Sequence, residues 1–200
     1  MQNRSFTTKW ASFQDIDEFI HLGSRFKSVE ELIALHDNDD ALCLSWRLFG
    51  SSGLHFNGDY SVLNRFTHRQ HGFNKHVKTM LNLKRLLTNH TQVFCVNPHF
   101  FIHNIYEPTS FKFQAKSVDG RPISGPFDME AESRLDDDSP WLAHFFTKTP
   151  EEWNKKREQG RIDVPANSPE LYRKDSEFAE NDLNDVEDPS LRDVYTNTNC

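Results

Sequence analysis

The 200-residue chain carries 23 Lys and Arg against 30 Asp and Glu, a formal charge of −7, with 36% hydrophobic residues. One domain's length with that content can bury a core. The acidic balance excludes the basic footprint that nonspecific nucleic-acid binding requires, so no nucleic-acid partner is expected.

Phenylalanine is unusually common, at 17, and its rings supply burial that a modest aliphatic content does not. Cys43, Cys95 and Cys200 are widely spaced and contain no C-x-x-C pair, so neither a disulfide framework nor a zinc knuckle is indicated. Cys43 lies in an apolar run and reads as a buried small hydrophobe. No apolar run approaches the roughly 18 residues of a transmembrane helix, and the segment MQNRSFTTKW lacks a signal peptide's apolar stretch. A cytoplasmic location is the default, with peripheral membrane association only where a longer product carries an anchor.

In chain order, residues 9–14 (KWASFQ) read as a strand running straight into Asp15-Ile16-Asp17-Glu18. Residues 28–37 read as a helix, with Ser28 as cap, Glu31 completing a capping box, and Leu32, Ile33 and Leu35 as its apolar face. Residues 41–49 (ALCLSWRLF) are almost continuously apolar, as in a buried central strand. Gly50-Ser-Ser-Gly53 breaks that run. Strand, helix and strand in succession give an α/β class with a crossover helix. Residues 9–14 and 41–49 are then neighbouring or near-neighbouring strands.

Residues 54–74 read as a loop-rich connection. Residues 75–81, 91–96 and 111–116 are further candidate strands, with a turn at 119–122. Residues 141–146 (WLAHFF) form a short apolar segment. Thr149 then caps a helix that takes Pro150 at its first position and stops at Gly160. Another helix is predicted over 168–180, and the last dozen residues read as a frayed tail. Acidic residues concentrate at 128–138 and 177–188, runs that are usually solvated faces.

The sharpest chemical signal is Asp15-Ile16-Asp17. In an extended chain, residues 15 and 17 point to the same side. Two carboxylates at a strand end can share a hard cation such as Mn²⁺ or Mg²⁺, with phosphate oxygens completing its shell. His144 beside aromatic rings reads either as a core histidine or as a ligand. Lys148, at the mouth of a helix, reads either as a solvated lysine or as a group for an anionic ligand. His99 and His103 would need a helix to share a face, which Pro98 and the aromatic run between them oppose, so a zinc site there is not expected.

The segment Lys9-Trp-Ala-Ser-Phe-Gln-Asp-Ile-Asp-Glu-Phe-Ile20 closely resembles the DxDEF segment of GT-A-fold glycosyltransferases, specifically family 92-type enzymes and their bacterial family 2 relatives. Trp46-Arg-Leu-Phe-Gly-Ser-Ser-Gly53 is similar to the family's strand and Gly-rich turn. Asn97-Pro-His99, Trp141-Leu-Ala-His-Phe-Phe-Thr-Lys148 and Glu151 through Asp163 resemble its closing half. The motifs span residues 9–163 in the family's order.

The resemblance implies a partial GT-A-type sheet with flanking helices over residues 1–165, followed by a helical and polar extension over 166–200. It implies metal-dependent transfer of a sugar, with inversion, from a nucleotide-diphosphate donor to a glycan or other hydroxyl acceptor. By the same resemblance, Asp15, Asp17 and His144 hold Mn²⁺ or Mg²⁺, and Lys148 meets the donor diphosphate. Glu18 and Arg47 support the site.

The general base is not identified by the motifs; Asp59 and Asp128, in predicted loops, are candidates. In the family the DxD motif lies halfway through the domain, whereas here it begins at residue 15. The expectation is therefore a fragment, a chain completed by a missing N-terminal half, or a truncated non-catalytic relative. A metal-dependent hydrolase or phosphotransferase using the same DxD is the remaining alternative.

Overall fold

The structure is a computed structural model and describes residues 8–58, 61–89, 93–97, 99–103, 113–161 and 164–198. The elements are β1 (Trp10–Ser12), β2 (Glu18–His21), α1 (Val29–Ala34), β3 (Ala41–Leu48), α2 (Val62–Arg65), β4 (His68–Arg69), β5 (Asn74–Asn82) and α3 (Leu83–Asn89). They continue with β6 (Val93–Asn97), β7 (Phe100–His103), β8 (Ala115–Ser117), β9 (Pro122–Ile123), α4 (Ala131–Arg134) and β10 (Trp141–His144). The chain closes with α5 (Pro150–Gln159), α6 (Asp175–Asn181), β11 (Val186–Glu187) and α7 (Ser190–Thr198).

The class is α/β, with a mixed sheet of seven strands in the order β1-β5-β3-β10-β2, β8 pairing β3 and β9 pairing β8. β5 runs antiparallel to both β1 and β3, whereas β8 is parallel to β3. The two strands expected to be near neighbours are thus separated by β5 alone. All eight residues of β3 are buried, as its continuous apolar run requires. Among the described residues, no helix is long and apolar enough to cross a membrane.

By contacts the chain divides into two compact units. The first comprises residues 1–15, 20–46 and 74–142; the second comprises residues 16–19, 47–73 and 143–200. In the first unit a buried cluster gathers Cys43, Val77, Leu81, Leu86, Phe100 and Ile123. Cys43 is fully buried, its Sγ 3.6 Å from Thr79 Oγ1, and burial pushes its thiol up to about 12. The sequence reading as a small hydrophobe fits that environment.

The second unit is built on rings. Phe145 packs against Phe19, Phe49 and Phe66 at centroid distances of 5.7, 4.6 and 6.3 Å. Trp153 bridges Phe146 and Phe178 at 5.5 and 5.8 Å.

Several expectations are corrected. The strand expected over 9–14 stops at Ser12, residues 16 and 17 form a turn, and β2 starts at Glu18. β1 and β2 occupy opposite ends of the sheet order, so the chain leaves one ladder before joining the other. Asp15 precedes the turn and Asp17 lies in it, so strand alternation does not place them. Helix α1 ends at Ala34, leaving Leu35 71% exposed; Glu31 accepts from the Lys27 N–H at 2.7 Å, one residue before the expected box partner. The helix expected over 168–180 begins only at Asp175, because Ser168 to Leu171 close a turn (Leu171 N to Ser168 O, 3.1 Å). The C-terminal residues expected to fray form α7, with Leu191 buried. His99 precedes a strand that ends at His103, so no helix aligns that pair.

The acidic run 177–188 is solvated only in part: Glu180, Asp185 and Glu187 are exposed, whereas Asp182 and Asp188 bond to the chain itself. Asp182 Oδ1 accepts the Ser51 N–H at 2.5 Å, its Oδ2 accepts the Ser51 hydroxyl at 3.0 Å, and Asn184 Oδ1 accepts the Ser52 N–H at 2.7 Å. Asp188 takes Arg69 Nε at 2.6 Å, beside the β11–β4 ladder. The Gly-rich turn at Gly50–Gly53 is thus met by the chain itself. A Cβ at Gly50 would lie 2.5 Å from Asn184 Oδ1 and 2.6 Å from Leu183 O, so only glycine fits. The Asp182→Ala substitution is expected to lower stability by about 2 kcal/mol, since Ser51 is buried and its N–H would lose its acceptor. Urea denaturation measures this.

Candidate functional site

Two backbone bonds assemble the site inside the second unit. The Phe145 N–H donates to Asp17 O at 2.9 Å, and the Phe49 N–H donates to His144 O at 3.0 Å. Asp17, in the turn, is thereby fixed beside the end of β10. His144 Nε2 lies 3.7 Å from Asp17 Oδ1, and Lys148 Nζ lies 3.2 Å from Asp17 Oδ2. Lys156, on α5, brings a second ammonium to the same Oδ2 at 3.3 Å and donates to Phe146 O at 3.0 Å.

Local chemistry explains how these side chains are held. Thr149 and Glu152 form a complete capping box with Pro150 at the start of α5, which fixes the helix entry. Arg65 grips Glu152 with two bonds of 3.0 and 2.8 Å. Between β10 and the cap, Lys148 adopts φ 56°. For a long non-glycine side chain this left-handed conformation costs about 1 kcal/mol, and it accompanies the ammonium's contact with Asp17. Thr147 is fully buried and donates to Asp182 Oδ1 at 3.5 Å, so the C-terminal carboxylate also braces the residue before Lys148.

Burial raises the Asp17 carboxyl, but Lys156, His144 and Lys148 together outweigh it and hold the group below the usual carboxylate range. Burial lowers the Lys156 ammonium; Asp17 opposes that fall, while Arg173 and Lys148 add to it. The guanidinium of Arg173 and the ammonium of Lys156 both lie over the Phe146 ring, at 5.7 and 4.5 Å.

The other expected residues are placed as follows. Asp15 belongs to the first unit, where its Oδ2 is 3.2 Å from Nζ of the buried Lys78. Glu18 is buried at the start of β2. Arg47 is buried, with its guanidinium 4.2 Å from the Phe73 ring centroid. Asp128 is buried in an ion pair with Arg134 and accepts the Glu130 N–H at 3.2 Å, a structural engagement that gives no support to a role as base. Asp59 lies outside the described residues.

A divalent cation can be weighed against this donor set. Asp17 Oδ1 and His144 Nε2 are an oxygen and a nitrogen close enough to share one ion, a combination Mn²⁺ accepts. Asp17 Oδ2, however, is covered by two ammonium groups, which repel a bare dication. Two donors alone do not complete a metal site, and a dication would need an anion to draw the ammoniums away. Among the described residues, no group of three or more His, Cys, Asp or Glu is arranged to hold a metal.

Lys156 was not singled out from the sequence. Its signal was helical spacing: it lies three residues beyond Trp153, on the side of α5 that is buried. The chain matches no known family model, no curated protein and no solved structure.

Proposed function

We propose that the chain is the metal- and diphosphate-handling part of a GT-A-type glycosyltransferase that moves a sugar from a nucleotide-diphosphate donor to a hydroxyl of a glycan or other acceptor. The observation that supports this most is the meeting of Asp17, from the DxDEF-like motif, with His144 and Lys148, from the HFFTK motif, within 3.7 Å. Composition does not require two motifs so far apart in the sequence to meet.

In such a transfer the bond between the sugar's anomeric carbon and the diphosphate oxygen breaks, and negative charge collects on the leaving group. Lys148 and Lys156 stand where that charge would be met by charge-assisted hydrogen bonds. Asp17 and His144 would hold a Mn²⁺ or Mg²⁺ ion, which would supply Lewis-acid assistance to departure. His144, as the neutral imidazole, can donate its Nε2 lone pair to a cation or a hydrogen bond.

The test is turnover by the natural gene product carrying this sequence, given Mn²⁺, a panel of nucleotide-diphosphate sugars and oligosaccharide acceptors. Sugar appearing on the acceptor, with kcat/KM about a hundredfold lower in His144→Ala, is the expected result. Donor cleavage with water as the only acceptor would favour the hydrolase alternative. A folded protein that neither binds nor cleaves any donor would be the non-catalytic relative.

A further inference from the structure

We propose that Lys148 and Lys156 form an exchangeable ammonium pair, neutralising Asp17 in the absence of an anion and transferring to a diphosphate when one binds. The inference rests on the reading of this pocket as a diphosphate-handling site. It adds Lys156 to that site and gives the pair a second partner.

Both ammonium groups converge on one oxygen, Asp17 Oδ2, at 3.2 and 3.3 Å. One carboxylate oxygen against two ammoniums leaves a positive excess at this contact. An arrangement that served only to bury Asp17 would need a single cation. Exposure also rises outward: the Asp17 side chain is 9% exposed, Lys148 20% and Lys156 27%. The lysines therefore stand nearer solvent than the acid they cover, where an arriving anion meets them first.

Each ammonium sits on a flexible four-carbon stem, so it can be re-aimed without moving the backbone. Lys156 also keeps a fixed acceptor in Phe146 O at 3.0 Å and an aromatic face at 4.5 Å, which hold its stem in place as its third partner changes. A dianionic or trianionic diphosphate offers more charge and more acceptor oxygens than Asp17 alone. Once it draws the ammoniums away, Asp17 Oδ2 joins Oδ1 in facing a cation. A cation arriving without the anion must instead compete with both lysines.

Exchange gives an outcome of opposite sign for one substitution. Lys156→Met keeps the length of the stem and removes the charge. In the metal-free full chain, isothermal titration with inorganic pyrophosphate should show binding weakened about tenfold or more in the variant. Titration with Mn²⁺ alone should show the reverse, with the variant binding several-fold more tightly than the wild type, because one competing ammonium is gone. Lys148→Gln should move both affinities in the same two directions, and it carries the test if Lys156→Met does not fold, as judged by its thermal transition.

Affinities that stay unchanged, or that fall together for both ligands, would overturn the exchange. So would a wild type that does not bind pyrophosphate. Pyrophosphate binding with opposite-sign shifts, but no sugar transfer by the natural product, would leave the exchange standing and remove the transferase reading. Transfer without the shifts would do the converse.

Discussion

Asp17→Asn is expected to lower stability by about 2 kcal/mol and, if the proposed transfer takes place, to reduce its kcat by at least about a hundredfold. The carboxylate is the common counter-ion of Lys148 and Lys156, and its side chain is 9% exposed. Removing one partner of a buried pair leaves the other charges uncompensated, with costs of about 3–5 kcal/mol in fully buried cases. The partial exposure of both lysines reduces the figure here.

The pH dependence follows from the same contacts. The folded-state value of Asp17 is depressed below 3.8, so its stabilising contribution is complete above 3.8 and is lost as pH falls through the folded value. Wild type and Asp17→Asn should therefore differ most in stability at neutral pH and converge in strong acid. Guanidinium melts from neutral pH down to about pH 2 measure this. A constant gap across that range would show that the lysines do not depend on the carboxylate's charge.

Phe145→Ala is expected to cost about 3–5 kcal/mol, the largest effect of any single truncation in the second unit. Phe145 is 1% exposed, meets Phe19, Phe49 and Phe66, and offers the N–H that fixes Asp17 O. Alanine keeps that N–H but leaves a cavity between three rings. Phe145→Leu, which refills most of the volume, should recover more than half of the stability. Chemical denaturation of both variants provides the check. A Phe145→Ala cost below about 1 kcal/mol would mean that the ring cluster is not the core of that unit.

Features governed by neighbours in sequence were legible before the structure was seen. The N-terminus of α5 is set by Thr149, Pro150 and Glu152 within four residues, and it forms as read, ending at Gly160 with φ 73°. β3 is fixed by eight successive buried residues. Glycine 120 closes the turn expected around it, at φ 83°. His144 was legible as a partner of the DxD motif only through the resemblance, since no local pattern ties it to Asp17.

Features governed by distant partners were not legible. Nothing near Asp182 announces that it will hold Ser51, and a run of carboxylates reads the same whether its bonds go to water or to a backbone turn. The turn at residues 16 and 17 was hidden for a similar reason. KWASFQDIDEF has the composition of a continuous strand, and it bends because its two halves join different ladders. Lys156 escaped notice because lysines on helices are usually solvated, and its burial depends on Asp17 and Phe146 being underneath.

The way the second unit is drawn from the chain bears on its birth at the ribosome. Its pieces are residues 16–19, 47–73 and 143–200, and the bond between Ser51 and Asp182 spans 131 positions. Domains tend to fold as they emerge, from the N-terminus onward, and long-range pairings must wait for their later strand. Asp17 therefore leaves the exit tunnel well before His144, Lys148 and Lys156 exist to neutralise it, and the Gly50–Gly53 turn waits still longer for Asp182. Until Phe145 is released, Phe49 and Phe66 have no ring from β10's end to cover them. The nascent chain thus carries exposed rings through most of its translation, an interval in which a holding chaperone would find a binding surface that the finished protein buries.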